Sequence, residues 1–214
     1  MTRYTHLILD VDSTLSEIEG IDWLARRRGG DASSEITAMT AAAMRGDVPL
    51  ESVYGSRLAC LRPTRDDVAA LADAYVSAIA PGARDAIALL ERAGVRVLLV
   101  SGGLRDAILP LAASVGIAPV DVHAVSLEFD ETGAYRAYDV ASPLWRMGGK
   151  PELARSIVPR AATVAVGDGI TDAELKPVVA KFIAFTGVVR HERVVAAADA
   201  VVTRFADLPQ HILV

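Results

Sequence analysis

Cysteine is almost absent from this chain of 214 residues, which contains only Cys60. A single cysteine excludes an internal disulfide and every zinc site built on several cysteines. Residues 1–9 also lack the basic start, the long apolar stretch and the cleavage site of a secretory signal peptide. Because disulfides are typical of oxidising compartments, these absences lead us to expect a cytoplasmic protein.

Positive charge and long apolar runs are scarce as well. The chain has 22 Lys and Arg residues against 27 Asp and Glu residues, which gives a formal net charge of −5. No basic cluster provides the electrostatic footprint that nucleic acid or an anionic membrane requires. No apolar run approaches the roughly 20 residues of a membrane-spanning helix. We therefore expect a small-molecule substrate, no nucleic acid and no membrane, for a protein that is a monomer or a homodimer.

What the sequence does contain is a regular alternation of short apolar runs and helical patterns. The runs predict strands at 6–10, 95–100, 163–166, 182–185 and 200–202, and the patterns predict helices at 83–93, 104–115, 151–157, 173–179 and 190–197. Nearly continuous apolar strands between helices are typical of a parallel sheet that is covered on both faces. The predicted fold class is therefore α/β, with a Rossmann-like parallel sheet as its core.

Residues 16–80 interrupt this alternation with four helix-like segments and no convincing strand. Prolines, among them Pro49 and Pro63, separate these segments because proline ends or kinks a helix. We expect 16–80 to form a helical cap that is inserted into a core made of 1–15 and 81–214.

A different pattern is found in residues 122–138, where apolar and polar side chains alternate. Alternation of this kind is typical of strands with one solvated face. Thr132 and Gly133 stand in the middle, and glycine is favoured in the tight turns that join two strands. The pattern predicts a β-hairpin over these residues.

Acidic side chains follow two of the predicted strands. Asp10 and Asp12 come at the end of the first strand, and Asp168 follows strand 163–166, with Asp172 just beyond. In an open parallel sheet, ligands bind outside the carboxyl ends of the strands, so these carboxylates should converge on one edge. Adjacent carboxylates repel one another unless a cation or a shared proton relieves the charge. An oxygen-only site with few protein ligands favours Mg²⁺ as that cation.

These acids also have purely structural interpretations. Asp12 could start a turn that Asp10 caps. Asp168 could be a turn residue, and Asp172 lies in the stretch 171–174, which has the pattern of a helix-capping box.

A Ser-Gly-Gly segment and a lysine add candidate groups for an anion. Ser101, Gly102 and Gly103 follow the second strand and precede the helix predicted from Leu104, so free backbone N–H groups could bind an anion there. Lys150 stands at the start of a predicted helix, where its charge opposes the helix dipole, which suggests another use for it. The alternatives are that the Ser-Gly-Gly segment is an ordinary connection between a strand and a helix, and that Lys150 is an ordinary solvated lysine.

The chain carries four motifs in a fixed order: Asp10-Val-Asp12-Ser-Thr-Leu15, Ser101-Gly-Gly103, Lys150, and Gly167-Asp168-Gly-Ile-Thr-Asp172. In this order they resemble the haloacid dehalogenase-like phosphatases, and the resemblance runs over essentially the whole chain. Three further stretches resemble, more specifically, the phosphoserine phosphatase branch of that family: Glu19-Gly-Ile-Asp22-Trp-Leu-Ala, Ala43-Met44-Arg-Gly46, and Glu51-Ser-Val-Tyr-Gly-Ser-Arg57-Leu.

The resemblance implies a set of catalytic roles. Asp10 would be the nucleophile, and Asp12 would be the general acid and then the general base. Asp10, the backbone carbonyl of Asp12, and Asp168 would bind Mg²⁺. Asp172 would support this metal site through a water molecule or through Lys150.

The resemblance also implies the substrate, O-phosphoserine, whose hydrolysis would be the last step of serine biosynthesis. Glu19 would meet the substrate ammonium and Arg57 its carboxylate. The other implied contacts are Ser101, Gly102, Lys150 and Thr171 on the phosphate side, and Met44 and Leu50 as apolar walls of the cap. Thr171 and Leu50 replace the asparagine and the aromatic residue that many relatives carry at these positions.

Purely structural alternatives remain for Glu19 and Arg57. The stretch 16–19 has the pattern of a capping box, so Glu19 could simply cap a helix. Arg57 could be an exposed helical arginine.

Three other functions remain open from the sequence. A phosphotransferase would pass the phosphoryl group from Asp10 to an alcohol such as homoserine instead of to water. A phosphatase could act on a different small phosphate ester. A signalling receiver domain also phosphorylates an aspartate at a sheet edge, but the helical insertion disfavours it, because receivers are compact and uninterrupted.

Overall fold

The computed structural model describes residues 4–29, 31–45, 47–48 and 51–213. Its centre is a sheet of six parallel strands in the order β3-β2-β1-β6-β7-β8. The six strands are β1 His6–Leu9, β2 Arg96–Leu104, β3 Val122–Val125, β6 Thr163–Gly167, β7 Lys181–Phe185 and β8 Ala200–Val202. A separate antiparallel hairpin consists of β4 Leu127–Phe129 and β5 Tyr135–Tyr138.

Strand β1 lies in the middle of the sheet and pairs with β2 on one side and with β6 on the other. Its apolar residues Leu7, Ile8 and Leu9 are buried, as are those of the neighbouring strands. A strand with helices over both faces must be apolar at successive positions, which explains why these runs could be predicted from the sequence. Because the chain goes from β1 to opposite sides of the sheet, a crevice opens at the carboxyl end of β1.

In the described residues outside the segment 16–80, six α-helices surround the sheet. They are α5 Ala83–Arg92, α6 Arg105–Ser114, α7 Gly149–Ile157, α8 Ile170–Ala173, α9 Glu192–Ala197 and α10 Pro209–Ile212. The structure thus confirms the predicted α/β fold with a parallel sheet.

The segment 16–80 contains four helices and, in its described part, no strand of the main sheet. The helices are α1 Gly20–Arg28, α2 Asp31–Arg45, α3 Glu51–Leu61 and α4 Arg65–Ser77. An isolated β-bridge between Ser16 and Ile79 joins the two ends of the segment. The last helix, α4, lies alongside α6 of the core and buries Val68, Leu71 and Tyr75. The division into two domains at these ends stays a prediction.

Three details of the sequence prediction were wrong. The hairpin covers only 127–138, because 122–125 pairs with β2 as an edge strand of the main sheet. Strand β2 continues to Leu104, past the segment expected to be a loop, with a register shift between Val100 and Leu104. The helix expected at 173–179 is the short α8 followed by a 3₁₀ turn at Lys176–Val178. Among the described residues, no helix is long and apolar enough to cross a membrane.

Two adjacent glycines introduce α7, the helix that carries Lys150. Gly148 has a φ of 73°, in the left-handed region, and its missing Cβ would meet nothing within 4 Å. Gly149 is different, because a Cβ there would overlap the backbone carbonyl of Pro143. Backbone cannot move aside as a side chain can, so Gly149 fixes how closely the start of α7 approaches the turn at Pro143.

We predict that Gly149→Ala lowers the free energy of unfolding by about 3 kcal/mol or more, because an added methyl group would displace the backbone. Gly148→Ala is the matched control, and it should cost only about 1–2 kcal/mol, the strain of a left-handed alanine. Urea unfolding of both variants measures the difference. A larger loss for Gly148→Ala than for Gly149→Ala would contradict this account.

Candidate active site

Asp10 follows β1 directly, and the chain then makes a turn through residues 11–15, which the N–H of Ser16 closes by donating to the carbonyl of Val11. Ser13 in this turn has a φ of 51°, a left-handed conformation that is uncommon for residues other than glycine. Thr14 is fully buried, and its hydroxyl donates a hydrogen bond to Asp168 at 3.0 Å. The turn therefore joins the end of β1 to the end of β6, at the crevice where ligands of such sheets bind.

Three buried carboxylates meet at this edge. Asp10, Asp168 and Asp172 each offer an oxygen, and these oxygens all lie within 4.8 Å of one another. Burial, followed by repulsion from Asp172, raises the pKa of Asp10 to about 7. Burial and the nearby Glu19 raise the pKa of Asp168 well above its usual value. Burial is thus the main cause of both raised pKa values, and repulsion between the acids adds to it.

Lys150 is the one ammonium group in contact with this cluster among the described residues. Its Nζ donates hydrogen bonds of 2.6 Å to Oδ1 of Asp10 and 2.6 Å to Oδ1 of Asp172. The side chain is 5% exposed, and the two carboxylates raise its pKa. The other oxygen of Asp172 accepts the backbone N–H of Gly169 at 3.0 Å.

The donor set fits a hard divalent cation. Three carboxylates and one ammonium leave an excess of negative charge, and each of the three acids Asp10, Asp168 and Asp172 offers a carboxylate oxygen as its ligand atom. Hard cations such as Mg²⁺ and Ca²⁺ bind such oxygens, whereas zinc favours nitrogen and sulfur. Asp10, Asp168 and Asp172 can therefore hold a metal ion.

Asp12 is held apart from this cluster by different partners. Its Oδ1 accepts the backbone N–H of Gly20 at 2.7 Å and the hydroxyl of Tyr75 at 2.6 Å. Its Oδ2 lies 3.5 Å from Oγ of Ser101. Burial, followed by repulsion from Asp10, raises the pKa of Asp12 to about 6. A buried carboxyl group with a raised pKa is suited to acid and base catalysis near neutral pH.

The Ser-Gly-Gly segment forms the last part of β2 and contains the register shift against β3. The hydroxyl of Ser101 accepts the N–H of Gly103 at 2.9 Å, and the carbonyl of Gly102 accepts the hydroxyl of Tyr54 at 2.9 Å. The expectation of a loop was wrong, because these residues belong to β2, although α6 does begin close behind them, at Arg105. Irregular strand geometry of this kind is common next to active sites.

Glu19 immediately precedes α1 and faces the same crevice. Its carboxylate accepts the hydroxyl of Ser13 at 2.6 Å and makes no capping bond to the helix. The capping alternative for Glu19 was therefore wrong. Burial and the nearby Asp12 raise the pKa of Glu19 to about 8.

Arg57 on α3 is only 2% exposed, so the alternative of an exposed helical arginine was also wrong. Its Nη1 donates to the hydroxyl of Thr40 at 2.6 Å, and that hydroxyl lies 2.6 Å from Asp22, to which it donates. Its Nε has no hydrogen-bond partner among the described residues. Burial lowers the pKa of Arg57, and Tyr54 and Asp22 oppose that effect. A buried guanidinium with a free N–H is a site for an anionic ligand group.

These side chains line a single pocket. It contains nearly all of the predicted site residues, namely Asp10, Asp12, Glu19, Arg57, Ser101, Gly102, Lys150, Thr171 and Asp172. Asp168 is buried against the pocket through its contacts with Thr14 and Asp10. Met44 belongs to α2, but its side chain lies outside the described residues, as does all of Leu50.

Sequence reasoning missed several groups at the site. Ile21, Thr40, Tyr54 and Leu144 also line the pocket, and Tyr75 contacts Asp12. The contact of Thr14 could have been predicted, because Thr14 lies inside the first motif and its hydroxyl can donate a hydrogen bond to a nearby acid. The role of Tyr75 had no local signal, because it stands 63 positions from the residue that it contacts.

Comparison with known proteins gives the same result as the geometry. A model of the haloacid dehalogenase-like hydrolases matches residues 7–177. The chain belongs to the haloacid dehalogenase-like hydrolase family. This membership excludes the receiver domain that the sequence had left open.

Proteins similar to this chain include several phosphoserine phosphatases. The phosphoserine phosphatase of Mus musculus is 35% identical over 202 residues, which cover 93% of this chain and 89% of that protein. A structure of a phospho-aspartyl intermediate analogue of phosphoserine phosphatase is 25% identical, with a TM-score of 0.80 over 98% of this chain and 99% of that one. A phosphoserine phosphohydrolase-like protein from Francisella tularensis shares the fold, with 24% identity, a TM-score of 0.89, and coverage of 97% and 99%.

We predict that Lys150→Met lowers the free energy of unfolding of this hydrolase by about 3–5 kcal/mol in EDTA, because two buried carboxylates lose their ammonium partner. Lys176→Met is the matched control. Its ion pair with Asp199 has a similar length, 3.0 Å, but is exposed, so it should cost less than about 1 kcal/mol. Urea unfolding at neutral pH compares them, and equal losses would show that burial does not strengthen the Lys150 contacts.

Proposed function

We propose that this chain hydrolyses O-phosphoserine to serine and phosphate, as the last step of serine biosynthesis. The observation that carries the proposal is a buried arginine and an acid in the pocket of the carboxylate cluster. Arg57 offers a free N–H to a carboxylate, and Glu19 offers a carboxylate to an ammonium group. Phosphoserine carries both of these charges besides its phosphate, so a pocket with these groups is complementary to it.

Asp10 would be the nucleophile. Its position directly after a central strand exposes a carboxylate to the crevice, and Lys150 keeps that carboxylate oriented. Attack on phosphorus would form an aspartyl-phosphate while the bond from phosphorus to the seryl oxygen breaks. Water would then attack the phosphorus of this intermediate and release phosphate.

Asp12 would transfer the proton in both steps. A seryl alkoxide is a poor leaving group, so the seryl oxygen needs a proton as its bond to phosphorus breaks. After losing that proton, Asp12 would accept one from the attacking water. Its position beside Ser101, on the pocket side, suits this role.

Lys150, Ser101 and Gly102 would hold the phosphate, with Thr171 at the same pocket wall. The metal ion would be Mg²⁺, held by Asp10, the backbone carbonyl of Asp12, and Asp168, with Asp172 as support. When bound, Mg²⁺ would supply positive charge next to the phosphate oxygens and offset the excess of carboxylates.

We further propose that 16–80 is a helical cap over a core made of 1–15 and 81–214. The bridge between Ser16 and Ile79 supports a narrow junction, and both ligands for the serine moiety, Glu19 and Arg57, come from this segment. Met44 would be an apolar wall of the same cap. A cytoplasmic location, expected because Cys60 is the single cysteine of the sequence, belongs to this proposal too.

We predict that the protein with Mg²⁺ releases phosphate from O-phosphoserine faster than from phosphothreonine, phosphotyrosine or sugar phosphates. EDTA should abolish the release, and Asp10→Asn should lower kcat by roughly a thousandfold or more without unfolding the protein. Phosphate assays with circular dichroism measure both. Full activity after chelation, or in Asp10→Asn, would contradict the mechanism.

The same assay with added homoserine separates hydrolysis from phosphoryl transfer. A hydrolase releases one phosphate for each serine formed, whereas a phosphotransferase forms phosphohomoserine and less free phosphate. If another ester on the panel is hydrolysed faster than O-phosphoserine, the protein is a phosphatase of different specificity.

We predict that Arg57→Ala and Glu19→Gln each lower kcat/KM for O-phosphoserine by roughly 30- to 1,000-fold, because each change leaves a substrate charge desolvated and unpaired. p-Nitrophenyl phosphate carries neither group, so its turnover should change far less. Arg62→Ala is the matched control, since Arg62 lies in the same segment but is exposed. Equal losses on both substrates would mean that Arg57 and Glu19 are structural.

A further inference from the structure

Tyr75 makes a buried contact that the reaction as described does not use. It lies on α4, the last helix of the segment 16–80, and it is fully buried. Its hydroxyl donates to Oδ1 of Asp12 at 2.6 Å, across 63 positions of sequence. A hydroxyl in a protein interior costs free energy unless it is hydrogen-bonded, and here the partner is the acid of the active site.

The contact depends on a second residue that the sequence places next to Glu19. A Cβ at Gly20 would overlap the hydroxyl of Tyr75 and would lie 3.3 Å from Oδ1 of Asp12. The backbone N–H of Gly20 donates to that same oxygen at 2.7 Å. Glycine at this position therefore lets two donors, one from the backbone and one from Tyr75, reach one carboxylate oxygen.

The two oxygens of Asp12 are consequently unlike. Oδ1 accepts two hydrogen bonds, whereas Oδ2 faces Ser101 at 3.5 Å and sits where a Cβ on Gly103 would come within 2.8 Å. An oxygen whose lone pairs accept two donors is a poor place for a further proton. The proton of a protonated Asp12 thus belongs on Oδ2, on the side of the pocket that Ser101 lines.

We infer that Tyr75 is a positioning residue for Asp12, which occupies Oδ1 and so makes Oδ2 the oxygen that carries the proton to the leaving group. The inference rests on the proposed phosphatase reaction. In the first step, the bond from phosphorus to the substrate oxygen breaks, a bond from phosphorus to Asp10 forms, and the proton on Oδ2 of Asp12 moves to the departing oxygen. Tyr75 itself touches neither substrate nor phosphorus.

The test compares substrates that do and do not need a proton on the leaving group. An alkyl ester such as O-phosphoserine needs one, whereas p-nitrophenolate leaves as a stable anion. In Tyr75→Phe the ring keeps its packing and only the hydroxyl is lost. We expect kcat/KM, which reports the first chemical step, to fall roughly 10- to 100-fold for the alkyl ester and to stay within about threefold for p-nitrophenyl phosphate.

Tyr54→Phe is the matched control. It also removes a buried hydroxyl of the segment 16–80 that is bonded at the pocket, but its partner is the carbonyl of Gly102 and not Asp12. Any loss in Tyr54→Phe should be similar for the two substrates. Gly20→Ala should disrupt the same contact, because the added Cβ would overlap the hydroxyl of Tyr75. It should therefore also lower kcat/KM selectively for the alkyl ester.

Equal losses on both substrates in Tyr75→Phe, or no loss on either, would overturn the positioning role. Thermal unfolding of each variant verifies that the comparison is made on folded protein. If the unchanged protein fails to hydrolyse O-phosphoserine but hydrolyses other esters, the proposed substrate is wrong. The positioning test then proceeds with O-phosphoethanolamine as the alkyl ester, so the two failures stay distinguishable.

Discussion

The ammonium group of Lys150 between Asp10 and Asp172 is the interaction on which the site depends. It joins the end of β1, the start of α7 and the short helix α8 through two hydrogen bonds of 2.6 Å. Burying these charges is costly, and only close pairing offsets the cost. The pairing requires close packing against the backbone at two glycines. A Cβ at Gly149, just before the lysine, would overlap the carbonyl of Pro143, and a Cβ at Gly167 would overlap the side chain of Asp172.

The charge of the pocket sets a second constraint. Five acids, Asp10, Asp12, Glu19, Asp168 and Asp172, lie in or against it, whereas Lys150 and Arg57 are its basic residues. Such a pocket would repel a phosphate ester if nothing else were present. The pKa values of Asp10, Asp12, Glu19 and Asp168 are raised first by burial and then by repulsion from neighbouring acids. A divalent cation at the carboxylate cluster would resolve this repulsion, because one ion would both relieve the acids and attract the phosphate.

Most of the fold could be predicted from the sequence, because buried parallel strands need continuous apolar runs, which can be recognised without a structure. It did not reveal β3, because the four residues of this edge strand include His123 and resemble the alternating hairpin that follows. Asp10, Asp12 and Asp168 could be found because each closely follows a strand end, and Asp172 lies just beyond Asp168. Thr40 and Tyr75 could not, because their contacts with Arg57 and Asp12 are set by how α2 and α4 pack.

The contacts between the segment 16–80 and the core are unequal in strength. On the α4 side, the bond from Tyr75 to Asp12 is buried, and α4 lies along α6. On the side of α2 and α3, the bond from Tyr54 to the carbonyl of Gly102 is partly buried, but the bonds from Arg193 to the carbonyl of Arg45 and from Met147 N–H to Glu51 are exposed. Exposed hydrogen bonds exchange with water at little cost, whereas a buried donor left without its acceptor costs about 1–3 kcal/mol. The support of Asp12 thus rests on the part of the segment that is hardest to separate from the sheet, while the helix that carries Arg57 is held to the core partly by bonds that water can replace.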